Sequence, residues 1–155
     1  MSIADEEEEF QDFEWFAIDS TGAVAFFTSG GRGFLPQSVK MSRTELEKIC
    51  RYFNSIAAEI TSFEGPFLAR LGLESRADMF RPGYERVHGG MSKKGLYSFD
   101  CHRTGNIPCP YSLLTKPIVE LRVEQLPRDI SKIISNTVYY GKFADEIDVC
   151  SAGIR

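Results

Sequence analysis

Apolar residues along this chain switch between clustered, strand-like runs and a period of three to four, and the switches delimit its elements. Phe13 to Ile18 and Ala23 to Thr28 are rich in aromatic and β-branched residues. Asp19-Ser20-Thr21-Gly22 lies between them, with Asp and Gly where a type I turn takes its first and fourth residues. The pattern predicts a hairpin with Gly22 at positive φ. Phe13, Trp15 and Ala17 fall on one face and Phe16 and Ile18 on the other, so both faces are expected to meet protein. Ser42-x-x-Glu45 then reads as a capping box. Beyond it Leu46, Ile49, Cys50, Phe53, Ala57 and Ile60 recur at three and four residues, which predicts a long helix lying across the sheet with Cys50 on its buried side.

From Glu64 to Gly95 the period is lost and breakers gather: Gly65-Pro66, Gly72, Pro82-Gly83, Gly89-Gly90. A short helix around Ser75 to Phe80, stopped before Pro82, is the only regular element expected there, and the rest reads as a long surface loop. Strand character returns from Gly95 to His102, and Thr104-Gly105-Asn106 offers a turn into Ile107 to Leu114. Val119, Leu121 and Val123 alternate with Glu120, Arg122 and Glu124, the signature of a strand half exposed to water. Pro127 opens a second, shorter helix with Ile130, Ile133 and Ile134 inward and Asn136 as its C-terminal cap, and Thr137 to Tyr140 forms a last strand. These elements predict an α+β fold, a mainly antiparallel sheet with one long and one short helix packed on it.

Length and composition agree with one domain: 155 residues, 43% apolar and 26% charged, can bury a core without metal or disulfide. Charge is unevenly placed. Residues 1 to 14 hold seven acids and no base, while beyond them 15 acids face all 18 bases. Residues 1–12 are therefore expected as an acidic, flexible start and 13–155 as the folded domain. A body so near neutrality, with no basic run longer than Lys93-Lys94, argues against a nucleic-acid footprint. The absence of a basic-then-apolar start and of a long apolar stretch points to a cytoplasmic protein that does not enter a membrane, with Cys50, Cys101, Cys109 and Cys150 reduced.

Candidate chemistry is sparse. Gly30, Gly31 and Gly33 around Arg32 suggest a phosphate cradle, but no Gly-Lys-Ser/Thr follows and Pro36 interrupts, so a loop with unusual backbone is the better reading. Asp100-Cys101-His102 with Cys109 and His88 lacks the paired short spacings of a zinc site, and neighbouring strand residues point apart, so no metal or other cofactor is expected. A thiol nucleophile at Cys101 or Cys109 would have to meet His88 through a fold-back of the chain. Asp145, Glu146 and Asp148 lack the glycine and spacing of a calcium loop, and Trp15 in mid-strand reads as core.

Two stretches together resemble a known group. Trp15-Phe16-Ala17-Ile18-Asp19 with Gly22, Phe26, the glycine-rich turn and Leu35-Pro36, and then Gly95-Leu96-Tyr97-Ser98-Phe99-Asp100 with Leu126-Pro127, are similar to small uncharacterised bacterial proteins, some encoded as immunity proteins in polymorphic toxin systems. The resemblance implies a cytosolic, non-catalytic protein-binding domain that neutralises a cognate toxin by covering its active site. The alternative from the residues is a small cysteine-dependent hydrolase or redox enzyme using Cys101 or Cys109 with His88, and a regulatory module of a larger assembly is a third. For a binding protein, the unpatterned stretches are where recognition is expected. Between Arg70 and Arg103 seven bases stand against four acids, which points to Arg32, Arg81 and Arg86 as contacts for partner carboxylates, to Tyr84 and Tyr97 as aromatic anchors, and to the turn at Asp100.

Overall fold

The computed structural model describes residues 1–31, 33–101 and 110–154, the side chains at positions 9 and 10 excepted. The predicted hairpin is present as β1 (Glu14–Ile18) and β2 (Val24–Thr28), paired antiparallel from Glu14 opposite Thr28 to Ile18 opposite Val24. Its turn is organised by Asp19, whose buried carboxylate accepts from the Thr21 amide (2.9 Å), the Thr21 hydroxyl (2.7 Å) and the Ala23 amide (3.0 Å), with Gly22 at φ 87°. A fourth donor comes from far along the chain, the Phe143 amide at 2.9 Å. That bond ties the C-terminal segment to the hairpin while satisfying a carboxylate that burial would otherwise penalise.

Both faces of the hairpin are covered, as its double-sided pattern required. On one side Trp15 stacks on Phe27 at 3.9 Å, and its indole N–H donates to the Tyr111 hydroxyl at 3.0 Å. Phe99, Tyr111 and Phe143 complete this layer. On the other side Phe16 stacks on Phe53 at 4.7 Å, within a cluster that includes Phe26, Ile49, Leu96, Ile130 and Ile134. The second layer rests under the long helix, which spans Arg43–Ser55 and starts where the Ser42 hydroxyl accepts from the Glu45 amide at 3.2 Å. It stops five residues short of the expected Ile60. Its last carbonyls are taken by side chains, Phe53 by the Lys94 ammonium (2.6 Å) and Tyr52 by the Ser55 hydroxyl (2.7 Å), so Ala57 is exposed rather than part of the stripe. A helix at Arg128–Ile134, preceded by Pro127, packs beside it with Ile130 and Ile134 inward.

The sheet departs from expectation. Its order is β1-β2-β4-β5-β3, with β3 at Phe63–Glu64, β4 at Tyr97–Cys101 and β5 at Tyr111–Pro117, and β6 (Asp148–Val149) also pairs with β5. β2 and β4 run parallel, with Thr28 opposite Asp100, so the sheet is mixed rather than mainly antiparallel. The connection between them, residues 29–96, is long enough for the crossover that parallel strands need, and a hydrophobic pattern carries no information on strand direction. Val119 to Val123 is not a strand. It runs beside the hairpin turn through the Val24 amide on the Leu121 carbonyl and the Val123 amide on the Gly22 carbonyl, and Val119 is exposed. The turn expected at Thr104-Gly105-Asn106 lies outside the described residues.

More helix is present than one long and one short element. In chain order the helices are α1 (Asp5–Phe10), α2 (Gln37–Lys40), α3 (Arg43–Ser55), α4 (Ala77–Tyr84), α5 (Gly90–Lys93) and α6 (Arg128–Ile134), with a π-helical turn at Glu85–Gly89 joining α4 to α5. The stretch expected as a long loop is thus largely helical, and α4 continues through Pro82. Proline removes the amide that would serve the Asp78 carbonyl, and the Glu85 amide is shared between the Arg81 and Pro82 carbonyls. Past that point the coil widens. Gly89 is needed in the widened turn because a Cβ there would sit 2.4 Å from the Phe63 ring. Residues 1–12, expected as a flexible start, carry α1 and lie against the domain: Ile3 is buried, Lys40 pairs with Asp5 and with Glu8 (2.7 Å), and Arg43 pairs with Glu7 (2.7 Å).

Candidate binding cavity

The carboxyl ends of the parallel strands β2 and β4 open into a cavity of about 690 Å³, where Thr28 and Gly30 on one strand end meet Asp100 and Cys101 on the other. α4 and the π-helical turn line it with Met79, Phe80, Tyr84, Arg86 and His88, and Asp12 and Glu14 line it from the chain leading into β1 and the start of that strand. The volume is that of a pocket able to take a small ligand or a protein side chain with its neighbours.

A chain of hydrogen bonds lines the cavity's inner wall. The Thr28 hydroxyl lies 2.7 Å from an Asp100 carboxylate oxygen and 3.3 Å from His88 Nε2, and His88 Nδ1 is hydrogen-bonded to the Ser98 hydroxyl. One hydroxyl has one proton to give. As a carboxylate Asp100 can only accept, so Thr28 donates to Asp100, His88 donates to Thr28 from Nε2, and Ser98 donates to His88 Nδ1. Burial pushes the His88 imidazole down to about 3, with the charge of Asp12 acting weakly the other way, so the ring is neutral throughout this chain. Asp100 also accepts from the Cys101 amide at 2.9 Å.

This wiring bears on nucleophilic chemistry. Cys101 and His88 do line one cavity, the fold-back a thiol enzyme would need. Both ring nitrogens of His88, however, are engaged by Thr28 and Ser98, and an imidazole so hard to protonate is a poor general base. Cys50 is half-buried at 3.7 Å from the Glu14 carbonyl, and burial raises its thiol to about 12, followed by the charges of Glu14 and Glu47. It is a packing residue, as its helical position suggested. Among the described residues no three His, Cys, Asp or Glu side chains gather as a group able to hold a metal, and no helix is long and apolar enough to cross a membrane.

The chain matches none of the known protein families, curated proteins or solved structures with which it was compared. The account of its site therefore rests on geometry. Of the residues singled out in the sequence, the fold brings Tyr84, Arg86, Asp100, Cys101 and His88 to the same cavity. Arg81 stands on the exposed side of α4, 3.9 Å from Glu85. Tyr97 is elsewhere: it is buried at the start of β4 and donates to Glu120 at 2.5 Å, so it is no surface anchor. Arg32, Cys109 and His102 lie outside the described residues. Sequence reasoning missed Thr28, Ser98, Asp12 and Glu14. Only the parallel register of β2 on β4 joins Thr28 to Asp100, and Asp12 and Glu14 looked like part of an acidic start.

Proposed function

We propose that this is a cytoplasmic, non-catalytic protein-binding domain that acts as an immunity protein, covering the active site of a cognate bacterial toxin. The observation that carries the reading is the cavity's construction: exposed Arg86 and Asp12 with half-buried Tyr84 and Glu14 line it, over a wall whose histidine is neutral and already bonded at both nitrogens. Such a wall fixes shape without supplying a base, which suits recognition better than turnover. Arg81 and Arg86 on the outer turns of α4 and the π-helical turn offer guanidinium groups to partner carboxylates, and Tyr84 offers an aromatic contact between them.

Co-expression with the product of the reading frame adjacent to its gene tests this. Growth should be rescued by the wild-type protein and lost with Arg81→Glu/Arg86→Glu, while the circular dichroism spectrum of that variant is unchanged. Failure of the wild-type protein to rescue would remove the immunity reading. The alternative, a Cys101 enzyme using His88, is favoured by their shared cavity and opposed by the occupied imidazole. It requires one cysteine to react selectively at neutral pH.

A further inference from the structure

We infer that the acidic start of the chain is an autoinhibitory strap: residues 1–12 lie in a slot on α2 and the start of α3 that takes an acidic segment of the partner protein when the strap is displaced. This rests on the protein-binding reading above and adds a second docking surface to it. The slot is defined by what the strap does in it. Ile3 is buried in the same cluster as Leu35, Val39 and Leu46, and among the described side chains of residues 1–12 it is the only one buried. On either side the backbones join, the Ile3 amide donating to the Lys40 carbonyl and the Arg43 amide to the Met1 carbonyl, both at 2.8 Å. Lys40 holds Asp5 and Glu8 (2.7 Å for the latter), Arg43 holds Glu7 (2.7 Å), and the Leu35 amide donates to Glu8 Oε1 at 2.6 Å.

None of these contacts needs this particular segment. The backbone bonds satisfy a carbonyl at the end of α2 and an amide at the start of α3, groups that helices leave open and that any extended chain can meet. What selects the occupant is an apolar anchor followed two, four and five residues later by carboxylates, here Ile3 with Asp5, Glu7 and Glu8. Charge favours such an occupant, since beyond residue 14 the chain holds 18 bases against 15 acids. With the strap in place the Lys40 and Arg43 side chains are only 12% and 29% exposed, so these cations are closed to a partner.

The strap is held lightly along its length and firmly at its base. α1 has six residues, too few for a helix to persist without support. Its ion pairs reach solvent, with the Asp5 side chain 90% exposed, and pairs of that kind hold weakly and are screened by salt. At the base, the Ser29 hydroxyl accepts from the Phe13 amide (2.8 Å) and donates to the Gln11 carbonyl (3.3 Å), and the Gly30 amide donates to Asp12 (2.7 Å). A segment pinned there re-docks on its own slot at high effective concentration. A partner must therefore bring the same anchor and charges to displace it, and the strap of a second copy competes poorly.

The test uses the full chain and a fluorescent peptide with the sequence of residues 1–12, beside a counterpart in which every Asp and Glu is Asn or Gln. The acidic peptide should bind Ile3→Ser/Glu8→Gln, whose own strap is weakened, about tenfold or more tighter than it binds the wild type, and the amide counterpart should bind that variant about tenfold more weakly or not at all. Raising the salt from about 50 to about 500 mM should weaken the binding. If that variant does not fold, NMR of the isotope-labelled wild type decides: excess acidic peptide should shift the Leu35 and Arg43 amides and move those of Ile3 and Asp5 to the positions of an unfolded segment, and unmoved strap amides overturn the inference. Equal peptide affinity for variant and wild type, no saturable binding to the variant, or equal binding of the amide counterpart also overturns it. So does a dimer formed by strap exchange in sedimentation, since the slot would then serve a second copy. The product of the adjacent reading frame should bind the variant about tenfold more tightly than the wild type. Equal affinity, with growth rescue and its loss in Arg81→Glu/Arg86→Glu intact, removes the strap's role and leaves the binding-domain reading standing.

Discussion

Lowering the pH should destabilise the protein through one identifiable group. His88 is 3% exposed and neutral in the fold, pushed from 6.5 down to about 3 mainly by burial. An unfolded chain takes up the proton near 6.5, so below that pH the unfolded state binds more protons than the folded one. The stability His88 contributes is complete above 6.5 and is lost as the pH falls from 6.5 towards 3. The slope approaches about 1.4 kcal/mol per pH unit, which amounts to about 2 kcal/mol between about pH 7.5 and about pH 5. That window lies above the range of ordinary carboxylates, so among the described residues His88 dominates it. Glu14, whose pKa is raised, works in the opposite direction, gaining stability as its range is approached from above. Guanidinium unfolding at the two pH values and constant ionic strength reads the difference. His88→Gln should be less stable at neutral pH, having lost a ring that Phe26 and Tyr84 pack against, but its stability should be nearly flat across the same window. A wild-type change below about 0.5 kcal/mol, or an undiminished slope in His88→Gln, would show that the imidazole is not held neutral in the fold.

Three further outcomes are expected. Phe53→Ala, which removes a fully buried ring stacked on Phe16, should cost about 3 to 5 kcal/mol in denaturant unfolding, and a loss below about 1 kcal/mol would mean the α3 face is misassigned. Ile3→Ala should cost about 2 kcal/mol, because the acidic start is docked on Lys40 and Arg43, and an unchanged unfolding midpoint would mean that α1 adds nothing to the fold. Alkylation followed by peptide mapping should modify exposed Cys150 before Cys50 and Cys101, and preferential labelling of Cys101 at neutral pH would favour the enzyme reading.

How far the sequence could be read depended on whether the signal was local. The hairpin was legible because Asp19 and Gly22 fix its turn within four residues, and α3 because Ser42 and the Leu46–Ile49–Phe53 spacing act along one element. The Pro82-Gly83 and Gly89-Gly90 pairs misled for the same reason. As local signals they break helices, but tertiary contacts with Phe63 and the core reward the glycine and the widened turn. Of the cavity, the sequence marked Tyr84, Arg86 and Asp100 through composition alone. The bonds that give it form, Thr28 to Asp100 and His88 to Ser98, join residues 72 and 10 positions apart, and the register that creates the first leaves no trace in either strand. Tyr97 was misplaced because its strand is covered on both faces.

The most direct test of the binding reading is calorimetric titration of the purified protein with the product of the adjacent reading frame, comparing wild type with Arg81→Glu/Arg86→Glu. The account predicts a saturable one-to-one complex for the wild type and affinity weaker by about tenfold or more for the variant, with unfolding midpoints that coincide. Absence of a complex with the wild-type protein, or equal affinity in a folded variant, would contradict it.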